Sequence, residues 1–141
     1  MLDEEVELYP RPPDMVLRLP MNKKWFDMVY SGEKKEEYRL RKPYWEVRLD
    51  NLIKKSQKEF LALLGKEFVP SAFNFTHCGM LILEFFNGYQ KDAPWFRAAC
   101  DYYETRTSVQ HPEWGETEYA GKEHFVFHIG AIIEGVVKKN G

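Results

Sequence analysis

Apolar and polar positions fall into two textures along the chain. Residues 15–19 alternate, with Met15, Leu17 and Leu19 on one side and Val16 and Arg18 on the other, which predicts a short strand stopped by Pro20. Asn22 then supplies a helix N-cap. Trp25, Met28 and Val29 recur at helical spacing over 23–31, and Gly32 sits where a left-handed residue ends such a helix. Residues 34–41 read as a charged strand, with Lys34, Glu36 and Tyr38 on one face and Lys35, Glu37 and Arg39 on the other; it carries too many charges for a core. A longer helix is predicted over 43–64. Its stripe is Trp45, Leu49, Leu52, Ile53, Phe60 and Leu64, its outer face carries Lys54, Lys55 and Lys58, and Gly65 lies beyond it.

From Ser71 onward the texture turns to β, with runs near 78–86, 98–106 and 123–137 separated by the turn signals Asn87-Gly88 and Trp114-Gly115. Helical and then strand texture predicts an α+β fold. Residues 1–14 are acidic, hold three prolines and offer little to bury, so they read as an N-terminal arm, and 15–141 as a single domain. A chain of 141 residues, 44% hydrophobic, suits one core and not two.

Net charge of −2 conceals an asymmetry. Residues 23–58 carry eleven Lys/Arg against six Asp/Glu, a balance of +5, and the remainder −7. The basic segment is interleaved with Trp25, Tyr38, Tyr44 and Trp45, the combination that attracts phosphates and stacks on bases; the same charges also suit a solvated helix face laced with surface ion pairs. The two cysteines, without a secretory signal, point to buried thiols in a reducing cytoplasmic setting, and no apolar run is long enough for a bilayer, so no membrane partner is expected. There is no P-loop, GxGxxG or GxSxG, and neither CxxC nor HExxH. His124 and His128, four strand positions apart and so about 13 Å from each other, read as ordinary strand histidines. Neither a metal nor a cofactor is expected.

The most informative stretch is Gly32, Lys34, Glu37 and Arg39 in the spacing GxKxxExR. Chemically these are a backbone turn, an ammonium and a guanidinium suited to phosphate or carbonyl oxygens, and a carboxylate able to meet a base edge or fix a neighbouring cation. The alternative is structural, with Glu37 and Arg39 pairing as same-side neighbours on a strand. The spacing resembles the signature of the ASCH family. The likeness runs from Leu17 through Leu49, where it is similar to the bacterial and phage-borne subgroup. It resumes more loosely at Phe85 to Tyr89, at Pro112 to Gly115 and at Gly121 to Val126. It implies a PUA-like β-barrel with flanking helices, a ligand cleft at the motif, and RNA or a modified nucleoside as partner, with Lys34, Glu37, Tyr38, Arg39, Tyr44 and Trp114 as candidate binding residues.

An enzymatic alternative comes from the same resemblance, because some ASCH-like proteins are N4-acylcytidine amidohydrolases and others ribonucleases. Lys34 falls at the amidohydrolases' catalytic lysine, whereas Glu37 stands where they carry a threonine. Lys34 and Glu37 are then the catalytic candidates, through an activated water, with Glu104 or Glu113 as a third carboxylate; a metal-free ribonuclease would use Lys34, Tyr38 and His111. Trp114 either lids the cleft or folds back onto the domain. Tyr44, beside the half-core Trp45, is the better stacking candidate. Three functions follow: an RNA- or nucleotide-binding module, a small hydrolase whose turnover vanishes in Lys34→Ala, and a protein-interaction domain indifferent to nucleic acid.

Overall fold

The computed structural model describes residues 14–64 and 81–136, apart from the side chains of 60, 61, 63 and 64. Nearly all of the expected N-terminal arm, the end of the α2 stripe at Phe60 and Leu64, and residues 78–80 of the first β run therefore lie outside the described part. Among the described residues the order is β1 (Met15–Pro20), α1 (Lys23–Tyr30), β2 (Glu36–Leu40), α2 (Pro43–Leu64), β3 (Leu81–Phe86), β4 (Trp95–Arg106), two short 3-10 helices (Pro112–Trp114 and Glu116–Tyr119) and β5 (His124–Val136). The fold is α+β, with one mixed five-stranded sheet ordered β1-β3-β4-β5-β2. β1 runs parallel to β3, and the other neighbours are antiparallel.

Local chemistry sets the boundaries. Asn22 Oδ1 accepts from the Trp25 amide at 3.1 Å and starts α1. Gly32, at φ +86°, ends it, and the Lys34 amide turns back to the Met28 carbonyl at 2.9 Å, aiming the next residues into β2. Pro20 is the last residue of β1 rather than a stop before it; β1 is an outermost strand, where a missing amide is tolerated. The inner face of the sheet is apolar. Leu17, Leu19, Leu83, Phe85, Phe96 and Phe127 are buried there, and Phe26 and Val29 of α1 and Trp45 and Leu49 of α2 join the same core. Phe96 meets Phe26 and Tyr30 edge-on and stacks on Phe85, so one ring couples α1 to two strands.

One expectation is overturned. β2 is not a solvated charged strand: Glu36, Glu37 and Tyr38 are all buried. Its outer end also reaches β1, the opposite end of the sheet, because Arg39 Nη2 donates to the Pro20 carbonyl at 2.8 Å.

Candidate functional site

The motif gathers around the Lys34 ammonium. Lys34 precedes β2 and therefore escapes strand alternation: Nζ donates to the Glu36 carbonyl and to Glu37 Oε1, the latter at 2.6 Å, instead of lining up with the Glu36 and Tyr38 side chains. Glu37 Oε2 accepts from Arg39 Nη1. The pairing of Glu37 with Arg39 weighed from the sequence is thus present, and Lys34 joins it. The Tyr38 ring lies 4.8 Å from Nζ and the Trp25 ring 5.9 Å, so aromatic faces complete the surroundings of the cation. Exposure is minimal, 1% for the Lys34 side chain and 5% for Glu37. Burial pulls the Glu37 carboxyl up, but the charges of Arg39 and Lys34 and hydrogen bonds from both outweigh it and hold the group below the usual carboxylate range. Glu37 is therefore a carboxylate and a weak proton acceptor.

Tyr44 and Trp114 stand apart from this knot. Tyr44 is 49% exposed on α2, with the Arg48 guanidinium 3.7 Å above its ring, while its neighbour Trp45 is buried under the Arg39 guanidinium at 5.3 Å. Trp114 is partly buried and stacks on His111 at 4.1 Å.

A second polar cluster adjoins the first through Glu36, and the strand register explains it. Glu36 lies opposite His128 on β5, and His128 lies opposite Tyr102 on β4, so three side chains form a row across three strands. Glu36 Oε1 accepts from Tyr38 Oη at 2.9 Å and from Arg106 Nη1 at 3.0 Å. Glu36 Oε2 has His128 Nδ1 at 3.5 Å and His111 Nε2 at 3.8 Å. Each imidazole has a second carboxylate on its other nitrogen, Glu104 at 2.6 Å for His128 and Glu113 at 3.0 Å for His111. Hydrogen bonding to His128, opposed by burial and aided by Arg106, keeps Glu104 below the usual carboxylate range.

Burial and the bond to Glu36 push the Tyr38 hydroxyl up, and although burial disfavours the Arg106 cation, Glu36 and Glu116 push its guanidinium up further. Arg106 Nε is the one buried side-chain polar atom among the described residues that has no hydrogen-bond partner.

Glu116 anchors this cluster from the loop after β4. Its Oε1 accepts from the Gln110 and His111 amides at 2.7 and 2.9 Å, and its Oε2 faces Arg106 Nη1 at 2.9 Å and His124 Nε2 at 2.8 Å. Burial raises the Glu116 carboxyl, yet these bonds outweigh it and bring it down to about 2. The other nitrogen of His124 lies 2.7 Å from the Lys122 carbonyl.

His124 and His128 both lie in β5, and each is paired with a carboxylate, Glu116 and Glu104 respectively. Glu104 and Glu113 serve histidines of this second cluster. Reasoning from sequence missed Glu36, Arg106 and Glu116. The available signal was a pair of histidines interrupting the apolar run of β5, which must find polar partners once that strand is buried.

No protein-family model matches the chain, and neither the curated proteins nor the solved structures compared with it include a match. Among the described residues no group of His, Cys, Asp and Glu is arranged to hold a metal ion, and no helix is long and apolar enough to cross a membrane.

Proposed function

We propose that the chain is an ASCH-type domain with a PUA-like barrel, and that it binds RNA or a nucleotide-like fragment through the segment from Lys34 to Arg39. The observation that supports this reading is the buried knot itself, in which Lys34 and Arg39 share the Glu37 carboxylate. Removing a lysine from water is costly, and an apolar residue of similar volume would serve stability as well or better. Ionisable groups held at such expense concentrate at functional sites. The knot lies within the +5 segment, and exposed Lys54, Lys55, Lys58 and the Arg48–Tyr44 stack lie along α2 of that segment. These are features suited to a phosphate backbone and an unstacked base.

Binding ranks ahead of hydrolysis on the state of Glu37. A carboxylate held below its usual range by two cations is a poor base for activating water, and neither Glu104 nor Glu113 joins the Lys34 knot.

The deciding experiment is calorimetric titration of wild type, Lys34→Ala and Lys34→Met with cytidine nucleosides, N4-acetylcytidine and short single-stranded RNAs, followed by chromatography of each mixture. Binding without conversion, weakened in both variants, is expected. Conversion by wild type alone would replace this reading with the hydrolase, and silence from every ligand would move the protein-interaction domain to first place.

A further inference from the structure

Lys34 and Glu37 are nearly sealed from solvent, so a ligand that touches them has to displace whatever covers them. The loop after β4 reaches the residues around this pair at two points. Gly115, at φ +86°, presses against Trp25 so closely that a Cβ at this position would lie 2.9 Å from the indole Cζ2; the indole also packs on the core and has Lys24 Nζ and Lys34 Nζ over its ring at 4.4 and 5.9 Å. Tyr119 donates its hydroxyl to the Tyr38 carbonyl at 3.3 Å, and its ring lies beside the rings of Tyr38 and His124. Burial and then the charge of Glu37 push that hydroxyl up to about 12. The loop in turn is fixed to the sheet by the fully buried Glu116, which bonds Arg106 of β4 and His124 of β5, while its bonds to the Gln110 and His111 amides brace the loop itself.

We propose that the segment 112–119 is a latched cover over the Lys34 site, that Glu116 is the latch, and that a nucleotide enters by lifting the cover and stacking on Trp25. This rests on the binding reading above for the identity of the ligand, though the cover can be tested without one. In the closed form Gly115 lies against the benzo ring of Trp25, and the amine of Lys34 is occupied by Glu37 and the Glu36 carbonyl. Opening frees the indole for a base while Lys34 and Arg39 supply the charge for its phosphate. Where only the open form binds, apparent affinity scales with the open fraction, so weakening the latch tightens binding and speeds association. Glu116 acts as a positioning residue and never touches the ligand.

The test is chemical labelling of the Lys34 amine with an N-hydroxysuccinimide ester, read by peptide mass spectrometry against the exposed Lys35 and Lys42. In wild type Lys34 should label far more slowly than either. Glu116→Gln should raise its labelling about tenfold and quicken association of a short single-stranded RNA, with Lys35 and Lys42 unchanged. If Glu116→Gln fails to fold, Gly115→Ala, which pushes the cover off Trp25, gives the same reading. If both fail, wild type decides: Lys34 must label faster than global opening allows, as measured by amide exchange at Phe96, and equality of the two rates overturns the cover. A folded variant whose Lys34 labels at the wild-type rate overturns it as well. Faster labelling without any RNA binding keeps the cover and removes the nucleic-acid reading.

Discussion

Arg106 grips Glu36 with both arms of its guanidinium, Nη1 to Oε1 at 3.0 Å and Nη2 to Oε2 at 3.4 Å, although β5 lies between their strands. The contact spans 70 residues of sequence and ties both outer neighbours of β5 together. Removing one partner strands the other's charge in a buried setting. Arg106→Met and Glu36→Gln should each lower unfolding free energy by about 3–5 kcal/mol. The double variant Arg106→Met with Glu36→Gln should cost less than the two single changes combined. Urea denaturation of the four proteins measures this, and simple additivity would count against the pairing.

Acid should act through Glu116. Its carboxyl is held below its ordinary value of 4.5, down to about 2, so the folded form favours the ionised state. The stability it contributes is therefore full above about pH 4.5 and is lost as pH falls through about 2. Glu37 and Glu104 are shifted in the same direction. Stability followed by circular dichroism should fall steeply between those two values in wild type. In Glu116→Gln stability should be lower at neutral pH and the acid slope shallower.

The apolar core should respond through Phe96. This fully buried ring touches Phe26 and Tyr30 on α1 and Phe85 on β3. Phe96→Ala should cost about 3–5 kcal/mol and loosen α1, visible as faster amide exchange over 26–30. A loss below about 1 kcal/mol would mean that the surroundings collapse into the space.

Tyr44 allows binding to be separated from folding. Being half exposed, it should tolerate Tyr44→Ala with a stability change within about 0.5 kcal/mol. If a base stacks on it, the same variant should lose roughly 1–3 kcal/mol of affinity for single-stranded RNA. An unchanged dissociation constant would remove Tyr44 from the ligand path.

Much of the fold was legible because its punctuation is local. Asn22 and Gly32 bound α1, Pro43 opens α2, and the turns at Gly88 and Gly115 separate strands, all by the conformational rules of single residues. The motif residues Lys34, Glu37 and Arg39 were also legible as a group, since they are neighbours on one short stretch. What could not be read was the burial of β2. The charge of Glu36 looks solvent-facing until Arg106, itself held by Glu116, arrives from elsewhere in the chain to pair with it, and local alternation says nothing about such partners. Lys34 was assigned the wrong side for a related reason: it precedes the ladder, so strand alternation does not govern it.

Arg39 has one further consequence. It belongs to the motif, yet its Nη2 also fastens the Pro20 carbonyl at the far end of the sheet, so the two outermost strands meet at a side chain. The same residue is thus a seam as well as a proposed ligand contact. A screen that scores only ligand retention will count a torn seam as a lost contact, and the presence of arginine at this position reports on architecture as much as on recognition.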